Sequence, residues 1–376
     1  MPRIARGRSG TMAEPRSPIP VYAARYREAD LSAFCEAALR AAGADAPTVD
    51  AATRAMMHAS RLGVDSHGVR LLNHYVSALE GGRVARAPHL TYVRETGAVA
   101  TLDAGAAHGA LAAYTAMDRA MDLASGFGIG AVAIRNSSHF GPAGAFALAA
   151  AERGFVGLAF CNSDSFVRLH EGAERFHGTN PIAAAAPVRG ARPWLFDMAT
   201  SSVPFNRVLL YRSLDIPLPR DAASDAEGVD TQDANAVDML APLGGAFGFK
   251  GAGLAGLVEI FSALLSGALL SFDIAPMVGP DMATPRNIGA FVLAVRPSAF
   301  LEPEVYEEGM ARYLRTLRRS RPTAGGEVLA PGDREWREAD NRARMGIPVD
   351  PATAEAFAQL SLRYGLYLPE TQSTAY

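Results

Sequence analysis

The stretch from Ile129 to Pro187 constrains this chain more than any other. Ile129–Ile134 is a short apolar run rich in branched residues, the pattern of a buried strand. A polar, glycine-bearing loop follows, Arg135 to Pro142, with Asn136, Ser138 and His139 inside it. The alanine- and leucine-rich segment Ala143–Arg153 has strong helix propensity and stops at Gly154, a natural residue just past a helix end. Phe155–Phe160 is a second apolar strand. A strand, a polar corner, a helix and another strand in immediate succession assign the chain to the α/β (α+β) class. His139 therefore sits where a strand hands over to a helix, a place whose free amides and dipole favour anions.

At 376 residues the chain accommodates two domains. About half its residues are apolar and a fifth charged, as in ordinary globular proteins. The longest apolar run, Ala255 to Leu270, is broken by Gly256, Glu259, Ser262 and Ser266. That reads as a buried helix, and no membrane contact is expected. A net charge of -3 supplies no basic face, so no nucleic-acid partner is expected. Two cysteines, Cys35 and Cys161, are too few for a disulfide framework and fit a reducing cytoplasm.

Residues 1–20 mix arginine, proline, glycine and serine without period and read as a disordered tail. Helices are expected over Asp30–Ala42, Pro47–Leu62 and Leu71–Leu79. The last two form an elbow presenting Asp65, Ser66, His67 and Arg70. Residues 213–245 carry turn formers and acids and read as a long exposed connection, a candidate active-site flap. Gly248–Leu270 is expected as a helix, Ile288–Val295 as a strand, and Pro303–Arg319 and Pro351–Leu362 as terminal helices. The resulting division is a helical domain from 21–92 plus 285–376, and a second domain from 93–284.

Several chemistries lack their signatures. No histidine or cysteine spacing suits a metal, so none is assigned. There is no nucleophile elbow, no P-loop, and no G-x-G-x-x-G after a strand. A nicotinamide enzyme built on this chain would need a fold other than the doubly wound one. His67 either packs in its elbow or exchanges a proton near neutral pH, with Asp65 and Ser66 to orient it and Arg70 to grip a carboxylate. His139 is either a helix-cap partner or a second pocket residue. Lys250 is the single lysine among 36 basic residues. Amid so many arginines, it marks a place where a compact ammonium is wanted, toward a ribose hydroxyl, phosphate or carbonyl.

Six segments together carry a resemblance: Asp65-Ser-His-Gly-Val, Asn136-Ser-Ser-His-Phe-Gly, Gly178-Thr-Asn-Pro, Phe196-Asp-Met-Ala-Thr, Lys250-Gly-Ala-Gly-Leu and Pro331-Gly-Asp. In this order, across about residues 22–350, they resemble the malate/L-lactate dehydrogenase family, which includes ureidoglycolate and sulfolactate dehydrogenases and Δ1-piperideine-2-carboxylate reductase. The resemblance implies a non-Rossmann, mixed-sheet cofactor domain beside a discontinuous helical domain. It implies NAD- or NADP-dependent interconversion of a small 2-oxo acid and 2-hydroxy acid, or reduction of a cyclic imino acid, in a homodimer. By the same resemblance His67 is the proton donor and acceptor and His139 lines the nicotinamide pocket. Ser163, Gly178, Thr179, Asn180, Pro181, Asp197, Met198, Ala199, Lys250, Gly251 and Gly332 hold the dinucleotide. The chain departs from the family pattern at Leu62, where many members carry arginine, and at Ser202–Val208. A third reading, a binding protein that kept the fold and lost catalysis, is motivated by the second departure.

Overall fold

The computed structural model describes residues 24–372; the tail expected at 1–20 lies outside them. The chain opens with a short strand, β1 (Arg25–Tyr26), and three helices, α1 (Glu28–Ala41), α2 (Ala46–Leu62) and α3 (Leu72–Gly81). Asp45 caps α2 by accepting from Thr48 N at 3.0 Å, Pro47 lies in its first turn, and Gly63 ends it at φ 81°. The apolar positions that gave α1 its period, Leu31, Phe34, Cys35, Ala38 and Leu39, are all buried. They pack on Met56, Leu72, Val76 and Leu79, and on Phe357 and Leu360 of the final helix, α10 (Pro351–Tyr364). The short strand β13 (Ile347–Pro348) pairs with β1, so the two ends of the chain share one core.

A seven-stranded mixed sheet forms the centre. Its strands are β2 (Thr91–Thr96), β3 (Val99–Asp103), β4 (Ile129–Ser137), β5 (Val156–Cys161), β8 (Ile182–Ala186), β9 (Trp194–Met198) and β12 (Ile288–Val295), in the spatial order β2-β3-β4-β12-β5-β8-β9. Only β3 and β4 run parallel; the other neighbours are antiparallel. Side chains alternate across the sheet. Val132, Ile134, Ala290 and Val292 join the core under α4 (Gly109–Phe127) and α5 (Ala143–Ala151), while Ala131, Ala133 and Phe291 meet Val258 and Phe261 on the opposite face. Each large aliphatic or aromatic side chain fully buried here contributes about 1.5–3 kcal/mol.

Three expectations are corrected. Ile288–Val295 is a strand, but it is the middle of this sheet, hydrogen-bonded to β4 and β5, so the domain boundary expected at 285 separates it from its own partners. Sequence distance hid the pairing, since β4 lies some 150 residues earlier. Residues 213–245 include many exposed positions, as expected, but do more than connect. They contribute β10 (Ala223–Ser224) and β11 (Met239–Leu240) to a four-stranded sheet with β6 (Val167–Arg168) and β7 (Arg175–His177). Val167, Val208, Tyr211, Leu218, Ala223 and Leu240 give that sheet its own core, against α6 (Phe205–Leu214). The glycines, prolines and acids mark turns between its very short strands.

The third correction concerns Gly248–Leu270. It forms α7 (Phe249–Glu259) followed by one wider π turn, Ile260–Leu264. It is not buried all round, because Leu254, Leu257, Ile260, Leu264 and Leu265 are exposed. The carboxy-terminal segment completes the fold with α8 (Pro303–Arg318) and α9 (Asp333–Met345). Among the described residues no helix is long and apolar enough to cross a membrane.

Candidate active site

His67 sits in a single 3₁₀ turn, Asp65–His67, between α2 and α3. Ser66 Oγ lies 2.8 Å from its Nδ1. The turn is held from below by Ser60, whose Oγ accepts from Val69 N at 3.0 Å. Gly68 is required by that close approach, since a Cβ there would lie 2.2 Å from Ser60 Oγ. Asp65 does not touch the imidazole. It pairs at two points with Arg342 of α9, a buried guanidinium that also donates to Ser60 O and Glu338. Asp65 therefore fixes the elbow and leaves the ring to Ser66. Arg70 is half exposed and faces Asp350 at 3.9 Å, so the structure gives it an acid partner and no contact with His67.

His139 follows the end of β4, as expected. Its Nδ1 is 3.0 Å from the hydroxyl of Tyr75 on α3, and Tyr75 itself lies edge-on to His108 at 4.2 Å. Ser138 Oγ donates to Ala107 O and accepts from Gly109 N, both at 3.0 Å. Asn136 adopts φ 50° and donates its N–H to Asn287 Oδ1 at 2.6 Å. These bonds turn the chain out of the sheet toward the elbow.

The two rings meet. His67 and His139 stack with centroids 5.9 Å apart and planes 16° from parallel, one from the elbow between α2 and α3 and one from the end of β4. Burial pushes His67 down to about 4, and pushes His139 well below the usual histidine range, with His67 and His74 adding to the effect. Both imidazoles are neutral at neutral pH. A hydroxyl on each Nδ1 leaves each Nε2 for a ligand.

The residues expected to hold a dinucleotide converge at the adjoining strand ends. Thr179 N donates to Ser163 Oγ at 3.2 Å, and Thr200 donates its N–H to Thr179 O at 2.9 Å. The Asp197–Met198–Ala199 segment closes β9 beside the Gly178–Pro181 turn, with Met198 paired to Ile182. Pro331 O accepts from Leu195 N at 3.4 Å, which brings Gly332, at φ 94°, against the same strand. Asp197 Oδ2 accepts from Gly144 N at 2.8 Å and so ties this strand to the helix that follows His139. Asp197 is accessible yet walled by protein, and that enclosure raises it to about 6 against the pull of the Gly144 bond. Beside Gly332 opens a cavity of about 530 Å³ lined by Arg192, Arg318, Asp333, Trp336 and Arg337.

Other members of the set take different places. Asn180 is fully buried, with its amide donated inward to Ala255 O at 3.1 Å and Glu259 Oε1 at 3.0 Å, so it shapes the turn from inside. Gly251 packs directly on the backbone of Leu243. Lys250 is exposed, with Nζ 5.1 Å from the Phe247 ring and 6.0 Å from that of Phe249. Sequence reasoning missed Tyr75, Asn287 and Arg342. None carried a spacing signal, since Tyr75 bonds His139, Asn287 bonds Asn136 and Arg342 bonds Asp65, all far apart in sequence.

The Ser163 and Thr179 hydroxyls and the accessible Asp197 carboxylate are donors and acceptors whose chemistry fits a nicotinamide dinucleotide. The mixed sheet sets this fold apart from the doubly wound dinucleotide folds.

The chain belongs to the malate/L-lactate dehydrogenase family, whose pattern residues 26–358 match. It is 36% identical over 278 residues to the (2R)-3-sulfolactate dehydrogenase (NADP(+)) of Chromohalobacter salexigens, covering 73% of this chain and 81% of that one. It is 32% identical over 296 residues to the ureidoglycolate dehydrogenase (NAD(+)) of Escherichia coli K12, covering 78% and 83%. The crystal structure of malate dehydrogenase from Entamoeba histolytica superposes with a TM-score of 0.87 at 27% identity, over 92% of this chain and 99% of that one. The family and these relatives support NAD or NADP as the cofactor of a hydroxy-acid oxidoreductase.

Proposed function

We propose that this protein interconverts a small 2-oxo acid and the corresponding 2-hydroxy acid, with His67 as proton donor and acceptor. The observation that carries this reading is the stacking of the His67 and His139 rings, which arrive from the α2–α3 elbow and from the end of β4 and are each anchored at Nδ1. Ser163, Thr179, Asp197, Lys250 and Gly332 would hold the dinucleotide. When bound, its nicotinamide supplies or accepts the hydride.

The chain's own groups handle the proton. In the free protein His67 is neutral, its Nε2 open and its Nδ1 held by Ser66. It is ready to take the hydroxyl proton of a 2-hydroxy acid. For reduction it must first gain a proton, which a substrate carboxylate nearby favours by raising its affinity for protons. His139 orients the reacting oxygen from the other side and is itself held by Tyr75.

The exposed apolar row Leu254, Leu257, Ile260, Leu264 and Leu265 supports a homodimer, because a patch of this kind on a monomer is rare. Buried, unpaired Cys35 and Cys161 support a cytoplasmic setting.

The test is a fluorescence titration with NADH and NADPH, followed by turnover of pyruvate, oxaloacetate, 2-oxoglutarate and Δ1-piperideine-2-carboxylate. Binding of at least one cofactor and turnover of a 2-oxo acid are expected. Binding of neither cofactor would sink the proposal, and turnover of the cyclic imine alone would move it to imine reduction.

A further inference from the structure

Arg286 stands two residues before β12, at the end of the sheet nearest the imidazole pair. The register explains where that is. Ile288 pairs with Ser137 across the antiparallel β12–β4 edge; just beyond that last pair Arg286 and His139 leave the two strands at the same end, near enough for the Arg286 charge to act on the His139 ring. On the other flank Ala290 pairs with Cys161, so the same end of β12 comes level with Asp164. The observed bonds agree: Arg286 Nη2 donates to Asp164, and its Nε donates to Ala275 O at 2.8 Å. Its remaining nitrogen, Nη1, has no acceptor among the described residues, although Arg286 is only 2% exposed.

A second buried guanidinium lies alongside. Among the described residues the side chain of Arg83, 3% exposed, donates only to the backbone oxygens of Pro276, Met277 and Asp281. The Asp281 carboxylate is occupied with its own turn, accepting from Ala283 N at 2.7 Å and Thr284 N at 3.0 Å. Among the described residues Asp164 is the one carboxylate bonded to Arg286, and it also accepts from Met277 N at 3.1 Å; the Asp281 carboxylate lies within electrostatic reach of Arg83 without bonding its guanidinium. Nor do the neighbouring imidazoles add negative charge. A desolvated cation without full compensation is costly, and an anionic ligand relieves that cost. Arg70, the arginine that the sequence suggested for this task, faces Asp350 instead.

We infer that Arg286 receives the substrate carboxylate, through Nη1, and so sets the preference for 2-oxo and 2-hydroxy acids over neutral ketones and alcohols. This rests on the function proposed above. A carboxylate held there, at the same strand ends as His139, leaves the adjacent carbon and its oxygen toward the paired rings. Arg286 would then be a specificity residue at the site, with Asp164 holding its guanidinium in place.

The test compares the best 2-oxo acid of the panel with its primary amide, in the full-length protein and in Arg286→Gln and Arg286→Lys. Wild type should prefer the acid in kcat/KM by on the order of 10–100-fold, the size of one charge-assisted bond pair. Arg286→Gln should lose that preference through KM for the acid, while KM for the amide and NADH affinity stay within about threefold. Arg286→Lys, which keeps a charge if the glutamine variant does not fold, should show an intermediate preference. A wild type that takes the amide as readily as the acid overturns the inference without any variant. So does an acid preference unchanged in either substitution. Absence of any wild-type turnover would instead count against the proposed function itself.

Discussion

Asp65 and Arg342 lie 277 positions apart in the chain and form a two-point ion pair, with Arg342 Nη2 donating to Asp65 Oδ2 at 2.9 Å. One is two residues from His67 and the other belongs to the helix that starts at Gly332. The pair therefore joins the elbow that carries His67 to the helix that follows Gly332. Asp65→Asn should lower kcat about tenfold or more, with cofactor affinity within about threefold, and cost about 1–3 kcal/mol of stability. Steady-state kinetics with a denaturant titration checks this. An unchanged kcat would show that Arg342 with Ser60 and Glu338 suffices to hold the elbow.

Tyr75 gives the second prediction. It is buried, and its hydroxyl anchors His139 Nδ1. Tyr75→Phe keeps the ring packing on His108 and removes only that anchor. A fall in kcat of about tenfold is expected, against about 10²–10⁴-fold for His67→Ala. If His139→Ala costs more than His67→Ala in single-turnover measurements, the proton role passes to His139.

Gly178 tests the cofactor turn. A Cβ there would lie 2.2 Å from Ser163 Oγ and 2.5 Å from Ser163 O, so Gly178→Ala must displace the Ser163–Thr179 bond. NADH affinity should weaken by on the order of tenfold or more, the loss of one or two hydrogen bonds. Isothermal titration gives the answer directly. A companion substitution, Lys250→Arg, keeps the charge but replaces the compact ammonium over Phe247, and should also weaken the cofactor; equal affinity would remove Lys250 from the site.

Acid lability follows from the histidines. Burial lowers His58 and His108 to about 3, and lowers His67 and His74 to about 4. Each folded value is below the unfolded one, about 6.5, so as pH falls the unfolded chain takes up protons first. Stability should be level above about pH 7, decline below about 6.5, and go on declining until the folded rings titrate near 3–4. Each fully buried histidine contributes a slope of at most about 1.4 kcal/mol per pH unit. Urea midpoints measured at half-unit steps from pH 7.5 to 4.5 check the sign, and a midpoint that rises on acidification contradicts it.

Local chemistry explains which parts could be read from the chain. Helices such as α2 announced themselves through Asp45, Pro47 and Gly63, and the strand–corner–helix unit around His139 through composition alone. The pairing of β12 with β4 and β5 was hidden, because a strand's sequence says that it is buried and not beside what. Residues 213–245 misled for a related reason: strands of two residues leave no alternation to detect, and their turns dominate. At the site, His67 and His139 stood out through their motifs, whereas Arg342, Asn287 and Arg286 reach it across distances that no spacing encodes. Asn180 shared a motif with cofactor residues, yet its side chain faces the interior.

The place of β12 also bears on how the protein is made. As the chain leaves the ribosome, β4 and β5 emerge with their facing edges open, and the strand that closes both arrives more than a hundred residues later. At cellular elongation rates that is a wait on the order of ten seconds. Through that interval two unsatisfied strand edges are available to any other extended chain. Until residue 295 has been synthesised, neither edge has its native partner.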